Sequence, residues 1–381
     1  MRTSWLTNFA LVTALALAGK VAGAAGLPTI ETAAKQAYII DLANDTVLLD
    51  KRSNEPMPPA SMAKLMTMYL VFDHLKQGRM KLTDELPVSE RAWRMDGSKM
   101  FVHVGTRVKV EDLVRGVIVQ SGNDACVVFA EAIAGSEEAF AQLMTAKGKE
   151  IGLTGSIFTN SSGWPDPRML VTARDLAYLG RRIVTDFPDY YRYYSELDYT
   201  YNGIKQGNRN PLLYKNLGAD GLKTGHTESS GYGLTASAQQ QGRRVVLVVN
   251  GLASMNQRAQ EAERLMSWAF REFDSVELFK PDEPLEQAAV WLGEKSNIAL
   301  TLEAPLSVTL PRAKRGEISV QVSYDGPLPA PVVKGQRVGT LRVRVPDMAV
   351  VERPLVAAES VARKGFLGRA YAAARYFVLG P

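Results

Sequence analysis

The sequence predicts an α/β domain, an antiparallel sheet with helices on both faces plus a helical subdomain, followed by a small all-β domain and a C-terminal amphipathic helix. Three patterns carry this prediction. A hairpin signature spans Ala37 to Lys51, and two more strand signatures span Gly231 to Ala238 and Arg243 to Asn250. The stretch between them is mostly helical in period, so helices must pack on a sheet drawn from both ends of the domain. After Phe279 the chain turns to short β-rich runs separated by Pro and Gly. The boundaries expected are an export signal over 1–24, the α/β domain over 25–275, a β-sandwich over 276–358 and the amphipathic helix over 359–381.

Arg2, the apolar run from Phe9 to Ala18 and the small residues Ala22-Gly23-Ala24 have the form of a cleaved export signal. An uncleaved anchor is the alternative, and either implies export. In the hairpin, Tyr38 to Leu42 and Thr46 to Leu49 flank a turn at Ala43-Asn44-Asp45. Pro58 and Pro59 fit a loop feeding a helix that carries Ser61 and Lys64 and continues through Leu70, Phe72 and Leu75. Its apolar residues surround most of the circumference, as in a buried helix. Leu86 to Val110 is loop-rich, either a cleft border or a plain surface connection.

A helix from Glu111 to Gln120 ends at Ser121-Gly122-Asn123, and a second runs on through Ala125 to Ala130, with Cys126 a buried small hydrophobe. Amphipathic segments from Ala139 to Phe187 are broken at Gly152 to Gly155 and at Asn160 to Pro167, and Thr172-Ala173-Arg174-Asp175 resembles a capping box. An aromatic-rich stretch, Tyr190 to Tyr201, and a polar one, Asn202 to Asn216, lead to Lys223-Thr224-Gly225 at the head of a strand-like run. The two strands that follow are joined by a short Gln-Gly turn, and a helix from Asn256 to Phe273 closes the unit. Phe279 to Pro284 reads as a linker, and Ala299 to Leu310, Ile318 to Tyr324, Gln336 to Val345 and Met348 to Val356 as strands. Near the C-terminus Phe366, Leu367, Ala370, Tyr371, Ala374, Phe377 and Val378 share one helical face, with Lys364, Arg369 and Arg375 flanking or opposite. That pattern suits a helix lying in an anionic membrane interface, or one docked on the β-domain.

With 46% hydrophobic and 22% charged residues the composition is that of an ordinary globular protein. A single cysteine excludes an internal disulfide, and three histidines without cluster spacing point to no metal and no cofactor. The net charge of +5 is compatible with an anionic surface or cell-wall polymer, and nucleic acid is not an expected partner.

Ser61 and Lys64 share one helical face. A serine hydroxyl becomes nucleophilic when a nearby base takes its proton, and a lysine amine is such a base once its pKa is pulled down. Alone, Ser-x-x-Lys is a weak signal, since a helix-start serine with a solvated lysine reads the same way. Ser121 and Asn123 alone read equally as helix caps. The three boxes Ser61-x-x-Lys64, Ser121-Gly122-Asn123 and Lys223-Thr224-Gly225 in this order are far more specific, because Ser-x-x-Lys, Ser-Asp-Asn and Lys-Thr-Gly form the signature set of penicillin-binding proteins and class A β-lactamases, the middle box here being Ser-Gly-Asn.

On these boxes, with Ser121-Gly122-Asn123-Asp124-Ala125-Cys126 and Lys223-Thr224-Gly225-His226-Thr227 in full, the sequence resembles the low-molecular-mass penicillin-binding proteins, the exported D-alanyl-D-alanine carboxypeptidases of bacterial cell-wall metabolism. The resemblance spans essentially the whole chain. It implies the serine β-lactamase and transpeptidase-like fold, with Ser61 as nucleophile, Lys64 as base, Ser121 as proton relay and Asn123 holding Lys64 and a substrate carbonyl. It further implies substrate binding by Lys223, Thr224, Gly225 and His226, the backbone N–H groups of Ser61 and His226 meeting the oxyanion. Arg258 is the candidate for the terminal carboxylate, with a solvated helix arginine as the alternative, and His226 has a packing role as its own. The partners implied are peptidoglycan pentapeptide stems, β-lactams as covalent inhibitors, and an anionic membrane at the periplasmic face of the inner membrane. Rival readings are an endopeptidase, a β-lactamase, for which Trp164 to Leu170 offers no obvious deacylating glutamate, and a non-catalytic wall-binding protein.

Overall fold

The structure, a computed structural model, describes residues 28–368 and 370; the expected export signal and most of the expected C-terminal helix lie outside the described residues. The chain divides into two units, Thr29–Arg271 and a second beginning at Glu272.

The first unit holds a five-stranded antiparallel sheet in the order Thr46–Lys51, Gln36–Asp41, Arg243–Leu252, Gly231–Gln240, Ala219–Thr227. Its central strand is buried on both faces. Val246 and Val248 enter the main core beside the helices Lys64–Lys76 and Ala173–Asp186. Val245, Leu247 and Val249 alternate to the opposite face and are fully buried too. On that side Arg243 donates to the carbonyl of Ala269, in the helix Met255–Glu272. The expected Gln-Gly turn is present, with Gln241 and Gly242 at φ +50° and +80°, the left-handed pair of a type I′ hairpin.

Three sequence expectations shift. Lys223-Thr224-Gly225 lies inside the edge strand Ala219–Thr227 instead of at the head of a later run. Polar Lys223 and Thr224 are both buried there, so hydrophobic alternation could not mark the strand. Ser61 stands on a 3-10 turn, Ala60–Ala63, ahead of the α-helix that opens at Lys64. Thr172 does cap its helix, accepting from Asp175 N at 3.0 Å, but the Asp175 carboxylate turns away to Gly155 N and Ser156 Oγ, so half of the capping box is missing. The helix Glu90–Arg94 lies in the stretch expected to be loop-rich, and the hairpin Asp198–Tyr201 with Ile204–Gly207 spans the aromatic-rich and polar stretches, to which the sequence assigns no element.

The second unit has a six-stranded sheet and a two-stranded one around an aliphatic core that includes Leu300, Leu310, Leu341 and Leu355. The expected run Ala299 to Leu310 is two strands, Asn297–Thr301 and Leu306–Pro311, which join different sheets. Phe279, assigned to a linker, ends the strand Phe273–Phe279 that pairs with Leu306–Pro311. The chain from Val361 to Lys364 is not helical. Val361 bridges Val332, Arg363 bridges Gly293, and Lys364 N donates to Leu292 O at 2.9 Å, so the described helical residues begin at Phe366.

Candidate active site

Ser61 is half-buried on a turn whose preceding residue, Ala60, sits at φ +47°, a sparsely populated conformation for a residue with a Cβ. Two glycines let other segments close on that turn. A Cβ on Gly163, at φ +78°, would lie 1.8 Å from the Ala60 carbonyl oxygen, and one on Gly225 would lie 2.8 Å from that of Pro59. The third box therefore has its glycine because the edge strand passes against the serine turn.

Lys64 is fully buried, and its Nζ contacts Ser61 Oγ at 2.9 Å, Asn123 Oδ1 at 2.8 Å and the Ser162 carbonyl oxygen at 2.6 Å. No carboxylate bonds it among the described residues. Burial pulls its pKa down from 10.5 to about 8, with the charge of Arg209 adding to the shift and Asp124 and Glu137 opposing it. In the neutral amine, two N–H bonds satisfy the two carbonyl-type oxygens, and the lone pair is left facing Ser61 Oγ.

Both acceptors are held from behind. Asn123 donates through Nδ2 to Asp96 O at 2.7 Å, which fixes its Oδ1 toward Lys64, while its own N–H donates to Ser98 O. Buried Asp124 accepts from the backbone N–H groups of Met100, Phe101 and Val102, so the second box also anchors the segment that edges the cleft. Asn160 Oδ1 accepts from the N–H groups of Ser162, Gly163 and Trp164. Thr67 Oγ1 donates to Ser161 O at 2.5 Å, and Glu137 accepts from Ser161 N and Oγ. These contacts present the Ser162 carbonyl to Lys64. Sequence reasoning missed Asn160 and Ser162, whose only trace was a cluster of turn residues read as a helix break.

Ser121 is buried at φ +59°, and its Oγ makes no hydrogen bond among the described residues. Lys223 is buried as well, and burial together with the charges of Lys64 and Arg209 holds its amine well below the usual lysine range. Thr224 is buried beside it. A cleft of about 550 Å³ is lined by Ser61, Asn123, Ser162, Trp164, His226 and Glu228 among others. Arg258 is not a solvated helix residue. It is 5% exposed, lies over the Tyr232 ring at 5.8 Å, and its Nε has no hydrogen-bond partner among the described residues. His226 stacks on the same ring, centroids 3.8 Å apart, yet stays exposed to the cleft. Arg258 does not line the cleft, although its charge depresses the Lys223 amine. The one carboxylate between Trp164 and Leu170, that of Asp166, is held by Arg168 at 3.0 and 2.7 Å.

A cleft whose serine faces a buried amine of lowered pKa is a site for acyl transfer. Residues 20–254 match the family described as "D-alanyl-D-alanine carboxypeptidase", and residues 273–363 match "Penicillin-binding protein 5, C-terminal domain". D-alanyl-D-alanine carboxypeptidase DacC of Escherichia coli strain K12 is 40% identical over 346 residues, 89% of this chain and 86% of that protein. Penicillin-binding protein 5 of Haemophilus influenzae superposes with a TM-score of 0.81 at 35% identity, over 89% of this chain and 100% of that one. Penicillin-binding protein D2 of Listeria monocytogenes, solved in an ampicillin-bound form, superposes with a TM-score of 0.59 at 26% identity, over 64% of this chain and 99% of that one. The fold is thus an α/β penicillin-binding domain followed by a C-terminal β domain. The chain belongs to the D-alanyl-D-alanine carboxypeptidase family and is a hydrolase of that class.

Proposed function

We propose that this carboxypeptidase removes the terminal D-alanine from peptidoglycan pentapeptide stems through an acyl-enzyme on Ser61. The observation that carries the reading is the Lys64 amine, 2.9 Å from Ser61 Oγ and otherwise bonded, among the described residues, only to the oxygens of Asn123 and Ser162. Neutral Lys64 takes the Ser61 proton as Oγ attacks the carbonyl between the two D-alanines. The oxyanion meets the backbone N–H groups of Ser61 and His226. The proton passes through Ser121 to the leaving amine, and water then cleaves the ester with Lys64 again as base. Lys223, Thr224 and Arg258 attract the terminal carboxylate, and the cationic surroundings that depress Lys223 favour an anion there.

The same serine would open a β-lactam to a covalent adduct, a reading supported by the ampicillin-bound relative. Its release would be slow, because the only acid on the 164–170 segment is tied to Arg168. Export by the 1–24 segment and anchoring by the C-terminal helix complete the proposal. Phe366 and Leu367, 77% and 81% exposed, support an interfacial role for that helix. Because Val361 to Lys364 pair within the β unit, the anchor is tested by deleting residues 365–381 and measuring release from anionic vesicles.

The activity itself is tested by mass spectrometry of a muropeptide mixture treated with the full chain. Loss of one alanine from uncrosslinked pentapeptides is the expected product, and cleaved crosslinks with pentapeptides left intact would contradict it.

A further inference from the structure

We propose that the cavity between the N-terminal hairpin and the helix Ala173–Asp186, which shares no lining residue with the catalytic cleft, binds a neutral N-acetylated sugar ring of the glycan strand that carries the stem peptide. The occupant rests on the peptidoglycan reading above. The cavity holds about 570 Å³, inside the range of about 300–1,000 Å³ usual for small-molecule sites.

Its lining is polar but balanced in charge, with Arg174 and Arg181 against Asp45 and Asp175. Arg181 pairs with Asp45 at 2.7 Å, and the Asp175 carboxylate accepts from Gly155 N and Ser156 Oγ at 2.9 and 2.7 Å. Other donors stay unused. Tyr38 is only 4% exposed, yet its hydroxyl makes no hydrogen bond among the described residues. A buried hydroxyl in that state costs free energy unless water or a ligand completes it. The side chains of Asn54, Thr154 and Arg174, all exposed on the same cavity, make no hydrogen bond among the described residues either.

The half-buried Tyr178 ring lines the cavity too, and Gly152, at φ +98°, leaves its edge uncovered, since a Cβ there would stand 3.6 Å from the ring. An aromatic surface beside unpaired donors suits a ring with an apolar C–H face and a rim of hydroxyl and amide groups. A phosphate or carboxylate would meet the two aspartates as well as the arginines.

The cavity is tied to the catalytic turn. Arg174 N donates to Ser53 O at 3.1 Å, and Met57 and Val171 exchange backbone hydrogen bonds at 2.8 and 2.9 Å. Asn54 precedes Ser61 by seven residues and Gly155 precedes Ser162 by seven, so each catalytic group lies at most about 25 Å from the cavity wall. An extended five-residue stem covers about 17 Å, and rings further along the strand cover the rest. One polymer thus reaches both places, which raises its effective concentration at Ser61.

The test titrates the full chain with the β-1,4-linked tetramer of N-acetylglucosamine, followed by saturation-transfer NMR. The wild type should bind it, Tyr38→Phe and Arg174→Ala should each weaken binding about five-fold, and Asn54→Trp, which fills the cavity, should abolish it. All three should keep the wild-type kcat/KM on Nα,Nε-diacetyl-L-lysyl-D-alanyl-D-alanine, while Asn54→Trp should release D-alanine from purified sacculi about five-fold more slowly. Tyr38→Phe removes one oxygen and keeps the apolar contacts, so it remains informative if a bulkier change unfolds the chain. No binding by the wild type, binding unmoved by all three changes, or sacculus turnover untouched where binding is lost would overturn the proposal. Displacement of the tetramer by inorganic phosphate would overturn it as well, by marking an anion site. Failure of the Ser61 reading shows separately, as absence of a penicillin adduct on Ser61 in the wild type, and leaves the saccharide titration intact.

Discussion

Two buried lysines, one in each unit, are met in opposite ways. Lys314 of the β unit is 1% exposed, and its Nζ bonds the Asp347 carboxylate at 2.5 Å and the Pro346 carbonyl at 3.1 Å. Lys64 is equally buried but finds a hydroxyl, a side-chain amide oxygen and a backbone carbonyl, with no carboxylate bonded to it among the described residues. The surroundings differ in the same sense. The β unit encloses an aliphatic core, whereas the α/β unit also buries Lys223, Arg258, Asn123 and Ser121 close to its cleft. A buried amine paired with a carboxylate is a structural tie, while one offered only neutral acceptors is driven toward the neutral form that a general base requires. Burial of charge alone therefore does not mark a site; the chemistry of the partner does.

The sharpest way to break this comparison is to remove the groups that give Lys64 its role. Ser61→Ala should abolish penicillin labelling, and Lys64→Ala should slow acylation by about 10²–10⁴-fold with the fold retained, measured by intact mass against time and by circular dichroism. A Lys64→Ala protein acylated at the wild-type rate near neutral pH would erase the distinction from Lys314. Next in size is Asn160→Ala, which frees the loop presenting the Ser162 carbonyl. Acylation should fall by about ten- to a hundred-fold, with a stability loss of about 1–3 kcal/mol by chemical denaturation. Loss of stability alone would make Asn160 a purely structural residue.

Arg258→Ala or Lys223→Ala should cost a substrate with a free terminal carboxylate about 1.5–3 kcal/mol more in kcat/KM than its amidated analogue. Equal losses on both would assign these side chains a general structural role. The smallest effect belongs to the β unit: Asp347→Ala leaves the buried Lys314 amine with a carbonyl alone, and because Asp347 is itself 55% exposed the expected loss is about 1 kcal/mol of stability. Penicillin acylation should be unchanged by it.

Much of this arrangement is legible in the sequence. The hairpin, the buried helix after Pro59 and the three boxes are local patterns, and the structure brings Ser61, Lys64 and Asn123 into direct contact. What stays hidden depends on long-range closure. Ser162 acts through its backbone carbonyl, which no side-chain motif can encode, and it lies 98 residues from Lys64 in the chain. The role of Asn160 is likewise invisible until the turn it builds is seen against the lysine. The edge strand is hidden from the sequence because Lys223 and Thr224 are polar yet both buried, on opposite faces of the strand, so no apolar alternation marks it.

The central claim, that buried Lys64 acts as a neutral base on Ser61, is tested most directly by the pH dependence of the second-order rate of penicillin acylation, followed by intact mass. Below a pKa of about 8 the neutral fraction, and with it the rate, should fall about tenfold per pH unit, and above it the rate should level off. The sign follows from the direction of the shift, since a lowered lysine pKa brings the neutral form down toward physiological pH. A rate that is flat from neutral pH upward through 8, or that rises only near the ordinary lysine value of 10.5, would contradict the account.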